Sequence, residues 1–67
     1  MIKVRLNGQE KTLSAGMTLS DLLEQYALKQ ERIAVEIDGV IIDSQDFSTT
    51  VLQEANTIEI VRFVGGG

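Results

Sequence analysis

Two Asx-glycine dipeptides constrain the fold of this chain more than any other feature. Asn7-Gly8 and Asp38-Gly39 each stand between segments in which apolar residues alternate with polar ones. Both central residues of a type I′ turn need positive φ, which Asn, Asp and Gly adopt more readily than other residues. The sequence therefore predicts two β-hairpins, separated by about 20 residues that must hold any further element.

The strands of these hairpins differ in character. In the first hairpin, every second residue from position 2 to position 6 is apolar, which predicts a strand with one buried face. Its returning strand, about residues 10–13, is mostly polar and is predicted to lie at a sheet edge. In the second hairpin, apolar residues alternate from Ile33 to Ile37, and the chain returns over residues 40–42.

An amphipathic helix is predicted between the hairpins. Thr18 can cap its N-terminus, and Asp21 stands three residues later, where a capping-box acid belongs. We expect the helix to end near Leu28. Spacings of three and four residues place the apolar side chains on one face: Leu19, Leu22, Leu23, Tyr26 and Ala27.

The remaining residues form a connection and a last strand. The connection after residue 42 has room for a short helical turn, and Phe47 and Leu52 are its expected anchors in the core. In the last strand, Ile58 and Ile60 face one way. Three residues face the other way, namely Glu59, Val61 and Phe63.

The element order is ββαββ, a short turn and a final β-strand. Two hairpins that flank one helix leave the first and last strands to pair in the middle of the sheet. We therefore predict an α+β fold, the β-grasp or ubiquitin-like arrangement, with a mixed sheet of about five strands and one helix across one face. Residues 1–64 are assigned to this domain and residues 65–67 to a flexible C-terminal glycine tail. The predicted core includes Val4, Leu19, Leu23, Tyr26, Val35, Ile58 and Ile60.

Composition narrows the chemistry. The chain has 67 residues and neither His nor Cys, which argues against a Cys/His metal site and against His- or Cys-based nucleophilic catalysis. A net charge of −4 argues against nucleic acid as a partner. The absence of a signal peptide and of a long apolar stretch predicts a cytoplasmic protein without a membrane partner. The acids at 36, 38, 43 and 46 are interpreted as turn and surface residues, so the chain is not expected to be an enzyme.

The tail offers the one distinctive chemical group. Gly65, Gly66 and Gly67 directly follow the last strand. A terminal carboxylate can attack the α-phosphate of ATP and become an acyl-adenylate, which is open to a sulfur or nitrogen nucleophile. Glycine has no side chain to clash in a narrow channel of another enzyme. The alternative is a frayed end without function. The apolar Val61 and Phe63, on the face away from the helix, are the predicted docking surface for that enzyme.

The sequence resembles the ThiS family, the small sulfur-carrier proteins of thiamine (thiazole) biosynthesis. The resemblance covers essentially the whole chain. It is carried by "LNG" at residues 6–8, "GMTLSDLL" at 16–23, "RIAVEIDG" at 32–39 and "IEIVRFVGGG" at 58–67.

The resemblance implies a sulfur-carrier function. A ThiF-like adenylating enzyme would use ATP to activate Gly67, a sulfur-relay protein would convert it to a thiocarboxylate, and a thiazole synthase would take the sulfur. The carrier itself would bind no cofactor and no metal. Two alternatives stay open: a carrier of the molybdopterin-synthase type, and a ubiquitin-like interaction or modifier module.

Overall fold

The order of secondary-structure elements agrees with the prediction. A computed structural model describes residues 1–29 and 32–63. The elements are β1 (Ile2–Leu6), β2 (Gln9–Leu13), α1 (Leu19–Gln25), β3 (Ile33–Ile37), β4 (Val40–Ile42), a 3-10 turn at Ser44–Asp46 and β5 (Thr57–Arg62). No helix in the described part of the chain has the length and apolar character needed to cross a membrane.

The five strands form one mixed sheet in the order β2-β1-β5-β3-β4. The central pair, β1 and β5, is parallel, and the other three pairs are antiparallel. The first and last strands of the chain thus meet in the middle of the sheet, and α1 covers one face. The predicted β-grasp arrangement is confirmed, as is the edge position of the polar β2.

Both hairpin turns have the predicted backbone conformation. The φ angles are 48° at Asn7 and 84° at Gly8, and 51° at Asp38 and 85° at Gly39. Asp38 has a second role, because its Oδ1 accepts a hydrogen bond from the backbone N–H of Thr57 at 2.7 Å. The interpretation of Asp38 as a turn residue is confirmed, and its carboxylate also fixes the start of β5.

The predicted capping box holds the start of α1. Thr18 Oγ1 accepts from the Asp21 backbone N–H at 3.1 Å, and Asp21 Oδ2 accepts from the Thr18 N–H at 3.0 Å. Two further N–H groups of the first turn donate to carbonyls in the connection between β4 and β5, Leu19 to Thr50 and Ser20 to Phe47. The helix start and this connection therefore support each other's backbone.

The core lies between α1 and the inner sheet face. Phe47 and Leu52 are each 2% exposed, so both predicted anchors are confirmed. Ile60 is only partly buried but packs against the core. The buried apolar residues are Val4, Leu6, Leu13, Leu19, Leu22, Leu23, Ile33, Val35, Ile37, Phe47, Leu52 and Ile58.

The prediction for Tyr26 is wrong, since its side chain is 39% exposed. The helix ends at Gln25, earlier than expected, and Tyr26 is the C-cap residue. Ala27 then takes a left-handed φ of 56°, and the Leu28 N–H donates to the Leu23 carbonyl at 2.9 Å. This is a Schellman motif with alanine in place of the usual glycine. Because the motif turns the chain, Leu28 packs against the core while Tyr26 does not.

Candidate functional site

The end of β5 extends beyond its neighbour in the centre of the sheet. The parallel pairing of β1 with β5 ends at Leu6 and Ile58. On its other side β5 stays paired with β3 as far as Arg62, which lies opposite Ile33. Among the residues that the structure describes, the last residues of β5 therefore have a strand neighbour on one side only.

Asn7 supports this overhang. Its backbone N–H donates to the Ile58 carbonyl at 2.8 Å, and its side-chain Oδ1 accepts from the Ile60 N–H at 2.8 Å. A turn residue of the first hairpin thus extends the β1–β5 ladder by one hydrogen bond. Sequence reasoning identified Asn7 only as a turn former, because its contact with Ile60 spans 53 positions.

Both predicted docking residues are exposed, and they lie two positions apart in the chain. Val61 lies opposite Ala34 in the register and is 58% exposed. Phe63 follows β5, is 57% exposed, and its backbone N–H still donates to the Arg32 carbonyl at 2.9 Å. The backbone here is held by hydrogen bonds while the two apolar side chains face solvent.

Ile41 is a further exposed apolar side chain, and it shares with Val61 the outer face of the sheet, the face away from α1. Ile41 of β4 is 69% exposed and pairs with Glu36 of β3. The sequence analysis missed Ile41 as a surface residue. The alternation of β4 carried the signal, because Ile42 packs against the core and its neighbour must then face outward.

The apolar residues of the outer face are accompanied by acids. Glu36 and Glu59 lie directly opposite each other in the antiparallel register of β3 and β5. Like charges in this position destabilise a sheet, by up to about 1 kcal/mol. This part of the face therefore presents apolar and negatively charged groups together, which suits a partner with apolar and basic groups.

The predicted transfer residues Gly65, Gly66 and Gly67 lie outside the described residues, and so does the proposed domain boundary at residue 64. Within residues 1–29 and 32–63, no group of three or more acids is arranged to hold a metal ion. What the structure brings together is the overhanging end of β5 and the exposed apolar side chains of Val61 and Phe63, the predicted docking residues.

The sequence as a whole matches a known family. The model of the ThiS family matches residues 4–67. The chain belongs to the ThiS family. This match includes the glycine tail as well as the domain.

Individual relatives agree with this assignment. The sulfur carrier protein ThiS of Bacillus subtilis is 37% identical over 65 residues, covering 96% of this chain and 98% of that protein. A crystal structure of the thiamine biosynthesis protein ThiS from Geobacter metallireducens superimposes with a TM-score of 0.82 at 25% identity, covering 98% of this chain and all of that one.

A longer class of relatives carries a similar region. The thiazole synthase of Magnetococcus marinus is 38% identical over 66 residues, which cover 98% of this chain but only 20% of that protein. The chain thus spans about a fifth of the length of the thiazole synthases that it matches.

Proposed function

We propose that this protein is the sulfur carrier of thiazole formation in thiamine biosynthesis, and that the carboxylate of Gly67 is its chemical site. The observation that carries the proposal is the family match, which spans residues 4–67 and so includes both the domain and the glycines. Partner enzymes bind the carrier through its folded domain, and the tail is their substrate.

The chemistry needs no catalytic group in the carrier. A carboxylate oxygen of Gly67 attacks the α-phosphate of ATP, pyrophosphate leaves, and an acyl-adenylate forms. The terminal sulfur of a persulfide then attacks the acyl carbon and AMP leaves. A thiol reduces the resulting acyl disulfide and releases the thiocarboxylate. Adenylation is required because a free carboxylate is a poor electrophile.

This scheme defines three partners. A ThiF-like enzyme supplies the ATP site and catalyses adenylation, a sulfur-relay protein supplies the persulfide, and a thiazole synthase accepts the sulfur. The region similar to this chain within proteins named thiazole synthase supports the last assignment. The carrier itself is a co-substrate and not an enzyme. We further propose that the carrier acts in the cytoplasm.

We further propose that Val61 and Phe63 dock the carrier onto the adenylating enzyme. Both side chains are more than half exposed and apolar, and they occupy the part of the chain closest to the tail. Gly65 and Gly66 then connect the domain to Gly67 through the narrow channel that leads to the active site of the adenylating enzyme. Glycine suits this position because it adds no side chain to the channel. Docking through β5 sets how deep the carboxylate of Gly67 reaches.

Intact mass spectrometry tests the proposal. The protein is incubated with a ThiF-like adenylating enzyme, ATP and a persulfide donor, with a reaction lacking ATP as control. We expect a mass gain equal to replacement of one oxygen by sulfur, and release of the sulfur when thiazole synthase and its substrates are added. A carrier of the molybdopterin-synthase type would gain sulfur but fail in the second step. A ubiquitin-like module would gain no sulfur.

A further inference from the structure

A groove of about 640 Å³ opens on the helix side of the sheet, behind the end of β5. Its apolar lining comes from Leu6, Leu28 and Ile60, and Tyr26 lines it as well. Two of these residues, Tyr26 and Leu28, come directly after the end of α1 at Gln25 and flank the left-handed Ala27.

The rim of this groove is positively charged. Lys11 of β2 and Arg62 of β5 both line it, and among residues 1–29 and 32–63 no Asp or Glu does. The chain as a whole has ten acids and six basic residues, so this local sign is opposite to the net charge of −4. In the part of the chain that the structure describes, no carboxylate forms an ion pair with either side chain.

The groove also borders an unpaired strand edge. Along β5, alternate residues direct their N–H and C=O groups to β3, as the hydrogen bond from Phe63 to Arg32 shows. The Ile60 carbonyl and the Arg62 N–H therefore face the β1 side, where the ladder ends at Leu6. The Ile60 N–H also faces this side, and it donates to the side-chain Oδ1 of Asn7. Within residues 1–29 and 32–63, no strand pairs with this edge beyond that point.

We propose that this groove is a second docking surface, which binds an extended acidic segment of a partner protein. The backbone of the segment adds to the free edge of β5, as in β-augmentation. One apolar side chain of the segment packs against the apolar lining of the groove beside Tyr26. The Asp or Glu carboxylates that flank it in the segment pair with Lys11 and Arg62. Charge complementarity selects this occupant, because charged groups of opposite sign steer association and discriminate against wrong partners.

The two sides of the end of β5 then favour partner groups of opposite charge. The outer face, with Glu36 and Glu59 beside Val61, favours basic groups, whereas the groove favours acidic ones. A partner that holds the strand end from both sides must match both signs in the correct orientation. The opposite charges thereby define which way round the carrier is held.

Peptide selection tests the groove directly. A library of random heptapeptides is selected on the immobilised full-length protein at low salt, with depletion against Arg62→Glu. We expect enrichment of peptides in which an apolar residue is flanked by Asp or Glu. The consensus peptide should shift the backbone NMR signals of Asn7, Tyr26 and Arg62. Its affinity should fall about tenfold or more in Arg62→Glu, as expected for loss of a charged hydrogen bond.

Lys3→Glu is the matched control, because Lys3 is exposed on the outer face and the charge change is the same. Peptide affinity should be retained there, and both variants should keep the wild-type melting temperature. Any of the following outcomes overturns the inference. One is no enrichment, or enrichment of neutral or basic peptides. Another is a set of shifts centred on Val61 and Phe63. The last is an Arg62-dependent dimer in sedimentation, or peptide binding only after residues 64–67 are deleted, which would identify another occupant.

This experiment uses no ATP, enzyme or sulfur, so its result is independent of the proposed function. If the protein gains sulfur but selects no acidic peptide, only the proposal that the groove is a docking surface is refuted. A protein that selects the peptide but gains no sulfur would refute only the carrier chemistry.

Discussion

The side-chain carbonyl of Asn7 accepts a hydrogen bond from the backbone N–H of Ile60 at 2.8 Å. This bond joins the first turn of the chain to its last strand and caps the β1 side of the overhang. We predict that Asn7→Gly keeps the turn, since glycine also adopts positive φ, but loses about 0.5–1.5 kcal/mol of unfolding free energy. Amide hydrogen exchange at Ile60 should accelerate.

Asn7→Asp is the matched control, because a carboxylate oxygen can accept the same hydrogen bond. Its Ile60 amide should stay protected. Equal protection of Ile60 in Asn7→Gly and in the wild type would show that the side chain of Asn7 does not hold the overhang.

The packing of α1 on the sheet predicts a large effect at Leu23. This side chain is 1% exposed, and Leu23→Ala should cost about 2–5 kcal/mol of unfolding free energy through lost burial and a cavity. A domain of this size has a small margin of stability, so the variant could unfold at ambient temperature. Chemical denaturation measures the loss. Glu24→Ala, at the exposed neighbouring position, should change stability little, and an equal effect of the two variants would remove Leu23 from the core.

The end of α1 offers a stabilising substitution. Ala27 has a φ of 56°, where a Cβ atom costs roughly 1–2 kcal/mol. Ala27→Gly relieves this strain, but it also raises the conformational entropy of the unfolded chain, which opposes folding. We therefore expect a net stabilisation of about 0.5–1 kcal/mol, measured by thermal or chemical denaturation. Ala15 is not among the positive-φ residues, and Ala15→Gly should be neutral or destabilising. Destabilisation by Ala27→Gly would contradict the Schellman geometry.

The docking proposal predicts that Phe63→Asp folds normally but binds the adenylating enzyme weakly. A carboxylate would enter a desolvated contact without a partner, and loss of an interface anchor commonly costs more than 1 kcal/mol, about a tenfold loss of affinity or more. Calorimetric titration measures the affinity. Val40→Asp is the control, because Val40 is 60% exposed at the β3–β4 turn. If both variants bind as the wild type does, Val61 and Phe63 are not the docking surface.

The tail proposal predicts strict dependence on the position of the last carboxylate. Deleting Gly67 should leave the melting temperature unchanged but withdraw the carboxylate by about 3.3–3.6 Å. A displacement of 1 Å in a positioned reaction can cost about 100-fold in rate, so sulfur incorporation should collapse. Intact mass spectrometry follows the incorporation.

Two further variants sharpen this test. Gly66→Val should block entry into the active site by its added bulk, and an alanine appended after Gly67 should abolish transfer because it moves the terminal carboxylate. Sulfur incorporation by the alanine-extended protein at the wild-type level, without trimming, would show that the carboxylate of Gly67 is not the site.

The features that the sequence alone determined are those with local causes. Asn7-Gly8 and Asp38-Gly39 form the predicted turns because positive φ is a property of the residues themselves. The Thr18 capping box spans three positions, and the buried faces follow from periodicity along each element. From these alone the β-grasp order could be predicted, since few topologies accommodate two hairpins and one helix in that sequence.

Only the tertiary structure decided where α1 ends and what its end exposes. Periodicity continues through Tyr26, but the core accepts Leu28 instead, and the chain reaches it through a left-handed Ala27 that no local signal marks. Likewise Asn7 forms a hydrogen bond with Ile60, and Lys11 and Arg62 line one groove, although the members of each pair lie far apart in the chain. Such contacts depend on how the elements pack together, and no short stretch of sequence contains that information.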